Sequence, residues 1–269
     1  MNHFYQIKEL IFKVENISLK YDNKQILENI NFEIHNITRP NLNQGQVVAL
    51  IGRSGIGKTQ LFKILAGLIK PTSGSIHIGV DQHPVKAGDV AVVPQNYILF
   101  NHRTVLQNLN LGLRNNPKKV LSAKDKNDLV NQYVEIFNLK EHLQKYPAQL
   151  SGGQRQRVSI IQQILTGNQF ILLDEPFSGL DILMVDKVID LLLKVSTLDE
   201  LNTLILVSHD VQNALAISDT AFILAKGCDG NGATMTEKID LMKLGFAWEP
   251  EIRKNREFQE LVASIKDKI

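Results

Sequence analysis

The chain has 269 residues, with 30 lysines and arginines against 28 aspartates and glutamates, for a net charge of +2. That length can bury a sizeable core as one large domain or as a core with an attached subdomain, and the near-balanced charge argues against a protein that lives on nucleic-acid phosphates. A single cysteine, Cys228, excludes an intrachain disulfide and a cysteine-based structural zinc site, and fits a reducing compartment.

The first residues, MNHFYQIKELIFKVEN, lack the apolar core of a secretory signal. Residues 11 to 35 alternate apolar and polar positions, with Val14, Ile17, Leu19 and then Ile26, Ile30, Phe32 and Ile34. This predicts half-buried antiparallel strands joined around Tyr21–Lys24. From residue 47 onward short, fully apolar runs at 47–51, 170–173 and 203–207 predict buried parallel strands in an α/β layer. None approaches the roughly 20 residues that cross a bilayer.

The first of these runs, VVALI, leads into Gly52-Arg53-Ser54-Gly55-Ile56-Gly57-Lys58-Thr59, which fits G-x-x-x-x-G-K-[ST], and then into the predicted helix LFKILAGL. The glycines let the backbone wrap an anion, the helix N-terminus adds partial positive charge, Lys58 can reach the outer phosphates and the Thr59 hydroxyl can ligate Mg2+. Residues 96–165 carry helical patterns and no buried strand, with a polar, Lys- and Asn-rich face at 114–128, so they read as a helical subdomain. Within it Leu150-Ser151-Gly152-Gly153-Gln154 opens a helix, offering backbone donors and a hydroxyl to a second anion.

The run Phe170–Leu173 ends in Asp174-Glu175-Pro176, two carboxylates at the C-terminal edge of a strand, where open α/β sheets bind ligands. Alone this is an ordinary solvated turn. Beside the phosphate loop it predicts Asp174 on Mg2+ and Glu175 on the attacking water. After His209 come a short helix (DVQNALAIS), a strand (AFILA) and a helix over 250–268 beginning near Pro250.

Taken together, the phosphate loop, the LSGGQ segment and the Asp-Glu pair resemble the ABC family of ATPases over about residues 11 to 226. The resemblance implies an α/β fold: a P-loop ATPase core of mixed sheet with an antiparallel β subdomain (1–95 and 166–269), the helical signature subdomain (96–165) inserted in it, and a C-terminal helix (250–269). It implies ATP and Mg2+ as ligands, with Tyr21 stacking on adenine and Gly52, Arg53, Ser54, Gly55, Ile56, Gly57, Lys58, Thr59 and Gln60 around the nucleotide. Gln95 senses magnesium and the attacking water, and His209 contacts the terminal phosphate. Ser151, Gly152, Gly153 and Gln154 act in trans across a head-to-tail homodimer whose two sites Asp181 helps couple. Taken one at a time, Tyr21, Gln95 and His209 are ordinary packing, surface and structural residues, and the other six histidines stay so.

The family implies a separate transmembrane permease subunit, docked near Gln95 through Tyr97–Val105. It also implies an extracytoplasmic substrate-binding protein in the complex, and a place on the cytoplasmic face of the membrane. The tail KLGFAWEPEIRKNREFQELVASIK is similar to those of nitrate, sulfonate and taurine importer ATPases, although FSGLD at 177–181 departs from that group. The stretch after His209 is too short for the C-terminal barrel of some sugar importers. Other departures are Gln60, where a second hydroxyl is usual, Gln162, where an arginine is common, and residues 36–44, which read as an insertion. The competing readings are an ABC ATPase acting on nucleic acid or ribosomes, an exporter or lipid-transport ATPase, and a regulatory module without turnover. The short spacing from Lys58 to Asp174 and the presence of both Glu175 and His209 disfavour the first and the last.

Overall fold

The computed structural model describes residues 5–39, 44–114, 116, 122–198, 201–227, 231–249 and 251–269. Cys228, Pro250, residues 40–43 of the stretch read as an insertion, and 115 and 117–121 of the polar stretch lie outside the described residues.

In chain order the elements are β1 (Gln6–Tyr21), β2 (Lys24–Thr38), β3 (Gln46–Ile51), α1 (Lys58–Leu65), β4 (Ser73–Ile78), β5 (His83–Pro84) and β6 (Val90–Val93). There follow α2 (Val105–Arg114), α3 (Ala123–Ile136), α4 (Gly152–Ile164), β7 (Phe170–Asp174), α5 (Ile182–Ser196) and β8 (Thr203–Ser208). The chain continues through α6 (Val211–Ala216), β9 (Thr220–Lys226), β10 (Ala233–Asp240) and α7 (Arg256–Lys268). The strands form one mixed sheet in the order β5-β4-β1-β2-β10-β9-β3-β8-β7-β6.

The antiparallel pair expected around Tyr21–Lys24 is present, with Tyr21 opposite Lys24. β9, β3, β8, β7 and β6 run parallel, and every residue of β3 and β8 is buried. Their uninterrupted apolar sequence follows from being covered on both faces. Val47, Ala49 and Ile51 face a core shared with α2 to α7, while Val48 and Leu50 face a second core holding Phe12, Phe32 and the apolar side of α1. Among the described residues, 96–165 contain helices and turns and no strand.

Four strands escape the periodicity: β4, β5, β6 and β10 are short or carry half-exposed polar positions. The terminal helix begins at Arg256 rather than near 250. Asn255 Oδ1 accepts the Phe258 amide at 3.0 Å and caps it, after a separate 3₁₀ turn at Ile252–Lys254.

The stretch 36–44 is not simply an inserted loop. β2 runs through it to Thr38, and the next side chain, Arg39, turns inward to a buried ion pair with Asp219. Asp219 Oδ2 also accepts the Val47 amide at 2.8 Å and its Oδ1 accepts Trp248 Nε1 at 2.8 Å, with the Arg39 guanidinium 5.5 Å from the centre of the indole. Burial pushes the Asp219 carboxyl above its ordinary value, and Arg39 acts against that push. The end of β2, the start of β3 and the C-terminal segment are thus tied at one buried carboxylate.

Candidate functional site

The parallel register decides where the chemistry collects. Ile51 lies opposite Ser208, and Asp174 opposite Val207, so the C-terminal edges of β3, β8 and β7 stop side by side. The Gly52 amide donates to Ser208 O at 3.2 Å and the Glu175 amide to Val207 O at 2.8 Å. Gly52, Glu175 and His209, far apart in sequence, therefore leave the sheet at one edge.

The phosphate loop needs glycine where the backbone is crowded or left-handed. A Cβ at Gly52 would sit 2.6 Å from Leu224 O, and Gly57 has φ 116° at the N-cap of α1. The Lys58 ammonium, almost fully buried, uses its three hydrogens on Gly52 O (2.9 Å), Arg53 O (3.0 Å) and Glu175 Oε1 (3.1 Å).

The other Glu175 oxygen, Oε2, accepts from His209 Nδ1 (2.7 Å), the His209 amide (3.1 Å) and the Ser208 hydroxyl (3.3 Å). Glu175 itself is held at φ 49°, a left-handed conformation unusual for a branched-free acidic side chain and found where surrounding contacts over-determine it.

Asp174 stands apart from this network. Its Oδ1 is buried without a hydrogen-bond partner, and burial, reinforced by the Glu175 charge, raises its carboxyl above the ordinary value against the pull of Lys58 and Lys63. A buried anionic oxygen without a hydrogen-bond partner fits a hard divalent ion. Among the described residues no group of three His, Cys, Asp or Glu gathers to hold a metal. The set expected from sequence, Asp174 with the Thr59 hydroxyl and the Gln95 amide, is a sparse one of the kind that suits Mg2+ shared with phosphates and water.

The remaining site residues fall in three places. Gln95 Nε2 donates to Ser178 Oγ at 3.1 Å, and the Ser178 amide to Glu175 O at 3.1 Å, so Gln95 adjoins the carboxylate turn. Tyr21 is half exposed beside the phosphate loop, and its hydroxyl donates to Gln60 Oε1 at 3.1 Å. Gln60, where a hydroxyl is usual, thus ties the aromatic ring to α1. Arg53, Ser54 and Gly55 are exposed and Ile56 is half-buried along the loop.

The signature is not joined to this group. Ser151 caps α4 through the Gln154 amide (3.3 Å), Gln154 Oε1 accepts the Ser151 amide (2.8 Å), and Gln154 Nε2 meets His142 Nε2 at 2.9 Å. None of these bonds reaches Lys58, Glu175 or His209, and Gly152 and Gly153 open the helix with their amides free of side-chain caps. Asp181 caps α5 through the Met184 amide at 2.9 Å, with Ile182 and Leu183 exposed beyond it.

The ABC transporter family model matches residues 35–178, a span holding the phosphate loop, the signature and the carboxylate pair. The chain belongs to the ABC transporter family. This family member is 36% identical over 219 residues to a spermidine/putrescine import ATP-binding protein of Fusobacterium nucleatum, covering 80% of this chain and 54% of the relative. It is 39% identical over 220 residues to a sulfate/thiosulfate import ATP-binding protein of Shewanella oneidensis, covering 80% and 56%. The chain spans only a little over half the length of these two relatives, and neither carries the nitrate, sulfonate or taurine name that the tail resembles. Among solved structures, cbiO1 of Clostridium perfringens, part of the ABC transporter complex cbiONQ, matches with a TM-score of 0.73 at 25% identity, covering 96% of this chain and 100% of that one. A dimeric ATP-binding cassette, MJ0796, in a post-hydrolysis state bound to ADP and Pi, matches with a TM-score of 0.66 at 25% identity, covering 86% and 99%.

In this ABC family chain the side chain of Gln162, the departure in α4, donates to Asn108 O of α2 at 2.8 Å. Asn108 is fully buried, accepts the Phe100 amide and donates to the carbonyls of Phe100, Arg103 and Thr104. It was not singled out from sequence, nor were Ser208 and His142. Ser208 precedes His209 and lies just after the apolar run 203–207.

Proposed function

We propose that this chain is the ATP-binding, ATP-hydrolysing subunit of an ABC importer, working as a head-to-tail homodimer with a separate membrane permease at the cytoplasmic face. The observation that carries the reading is the gathering of Lys58, Glu175 and His209 at one sheet edge beside the unpartnered oxygen of Asp174.

Lys58 leaves Glu175 for the outer phosphates, and Glu175, oriented by His209 Nδ1 and the His209 amide, accepts the proton of the water that attacks the terminal phosphorus. The water oxygen bonds to phosphorus as the bridging oxygen departs with the ADP. Thr59, Asp174 and Gln95 would hold Mg2+, which neutralises charge on the phosphate oxygens when bound. His209 is half exposed at the site mouth, as a contact to the terminal phosphate requires. Tyr21 offers its face to adenine, and Ser151–Gln154 serves the partner's nucleotide, since its side-chain bonds go to its own helix start and to His142 and not to Lys58, Glu175 or His209.

Residues 96–165 are the helical subdomain inserted in the core formed by 1–95 and 166–269. Its docking surface is the loop ahead of α2, where Ile98 and Phe100 are exposed and Arg103 stacks over the Phe100 ring at 5.8 Å. No helix among the described residues is long and apolar enough to cross a membrane, so the reading assigns the span to a permease chain. An extracytoplasmic binding protein completes the importer. The names of the relatives supply sulfate, thiosulfate or polyamines as candidate cargo classes.

Glu175→Gln tests the reading: it should bind ATP, accumulate dimer on gel filtration with Mg-ATP and lose turnover, whereas near-normal turnover sinks the base assignment. Co-purification with a hydrophobic membrane chain supports the importer; recovery only with ribosomes or DNA overturns it.

A further inference from the structure

The C-terminal segment touches neither the phosphate loop motif nor the signature in any bond described above, yet one of its side chains reaches two helices that begin at the site. Arg253, in the turn before α7, donates from Nη1 to Asn213 Oδ1 at 3.2 Å and from Nη2 to Asp186 Oδ1. Asp186 lies on α5, the helix capped by Asp181. Asn213 lies on α6, the helix that starts two residues after His209.

The α6 branch continues inward without a break. Asn213 Nδ2 donates to Asp210 Oδ2 (2.7 Å), and the Asn213 amide donates to Asp210 Oδ1 (3.1 Å). The Asp210 amide donates to Ser208 Oγ (3.0 Å), and Ser208 Oγ donates to Glu175 Oε2 (3.3 Å). Donor and acceptor identities fix the chain's sense. Arginine only donates and aspartate only accepts, so the Asn213 amide can stand between them in one orientation alone.

We propose that Arg253 is a positioning residue for the hydrolytic site. Its planar fork holds α5 and α6 in one relative placement, and through Asn213, Asp210 and Ser208 it sets the Ser208–His209 strand end against Glu175. A guanidinium can serve two acceptors at a fixed angle; an ammonium cannot reproduce that fork. This inference rests on the reading of Glu175 and His209 as the hydrolytic pair. It assigns the C-terminal segment a function that its sequence did not reveal: alignment of the base with the loop that faces the partner subunit.

The test is Mg-ATP turnover of the full chain for Arg253→Ala, Arg253→Lys, Asn213→Ala and the Arg253→Ala/Asn213→Ala double variant, with melting temperatures measured alongside. Misplacement of a base by a fraction of an ångström lowers kcat by about tenfold. Arg253→Ala and Asn213→Ala should each show that loss with KM for ATP within about twofold, and the double variant should be no worse than Arg253→Ala, because both cut one path. Arg253→Lys should fall between. A lowered melting temperature with unchanged kcat means a structural brace and overturns the proposal, as do losses that multiply in the double variant. If Arg253→Ala fails to fold, Arg253→Lys and Asn213→Ala decide, an unchanged kcat in both overturning it. Glu175→Gln run in parallel separates the two ideas: normal turnover there defeats the base assignment, while the comparison of Arg253 with Asn213 still judges whether they form one path.

Discussion

Lys58 Nζ lies 3.1 Å from Glu175 Oε1, so the cation that phosphates call for and the carboxylate that water calls for are paired with each other. Both are mostly buried, and the ammonium is otherwise satisfied by two loop carbonyls. In the proposed mechanism nucleotide binding breaks that pair.

Neutralising the carboxylate should therefore have two opposite effects in one variant. Glu175→Gln weakens the hold on Lys58 and removes an anion from beside the phosphates, so ATP affinity should rise about three- to tenfold while turnover is lost. Lys58→Ala should lose about 10–100-fold in ATP affinity, the value of a charge-assisted hydrogen bond or two. Titration calorimetry on both variants checks this; equal affinities in both and in the wild type would reject the exchange of partners.

Asp174 supplies the pH dependence. Its carboxyl titrates above the ordinary value in the fold because burial, then Glu175, disfavours its charge. With the native pKa above the unfolded one, the native state binds more protons in the window between them. The stability of the metal-free protein therefore declines as pH rises through that window. Mg2+ needs the ionised form, so its affinity should fall on mild acidification, earlier than for a carboxylate of ordinary pKa. Asp174→Asn should leave the metal-free melting temperature at pH 7 undiminished while Mg2+ affinity drops about 10–100-fold. A lower melting temperature in this variant would show that the charge is compensated in the fold after all.

What could be read from sequence was contiguous. Gly52–Thr59 and Asp174–Glu175 each announce themselves within a few positions, and the all-apolar runs before them place both at strand ends. The parallel register that sets Gly52 beside Ser208 follows from those runs only once strand order is known. Arg39, Asp219 and Trp248 could not be read together, because their contacts span 180 and 29 positions and no local period links them. For the same reason the sequence did not show that β2 runs into 36–44 as far as Thr38 and is followed by a buried arginine, or that Arg253 joins two helices.

The Arg39–Asp219 pair should be costly to break from one side only. Asp219 is fully buried, and the Val47 amide and Trp248 indole that remain are neutral donors. Arg39→Ala leaves an anion without a cation in the interior, a loss of about 3–5 kcal/mol. Urea denaturation should show a lower midpoint with an unchanged slope. A shift below about 1 kcal/mol would mean that the two neutral donors suffice for Asp219.

The loop proposed for docking offers the last prediction. Asn108 spends its whole side chain on the backbone of Phe100, Arg103 and Thr104, and its own carbonyl takes the Gln162 amide from the signature helix. One turn further on, a Cβ at Gly112 would lie 2.2 Å from Gln162 O, so α2 and α4 pack too closely for any side chain there. The loop bearing Ile98 and Phe100 is thereby fastened to the helix whose first residues are Ser151–Gln154. Asn108→Ala takes the side-chain partner from the Phe100 amide and the Arg103 carbonyl, while the Phe100 and Thr104 carbonyls keep the Arg103 and Asn108 amides, at a cost of about 1–3 kcal/mol for each group left unpaired that water cannot reach. Amide exchange at Phe100 should then accelerate at least about tenfold in 98–104, with little change in β3 or β8, whose hydrogen bonds Asn108 does not touch. Gly112→Ala should loosen the same loop by a different route, by pushing α2 away from Gln162. If exchange in 98–104 stays at the wild-type rate in both variants, the loop is held by its own turns, and motion of the signature helix has no path to it through Asn108.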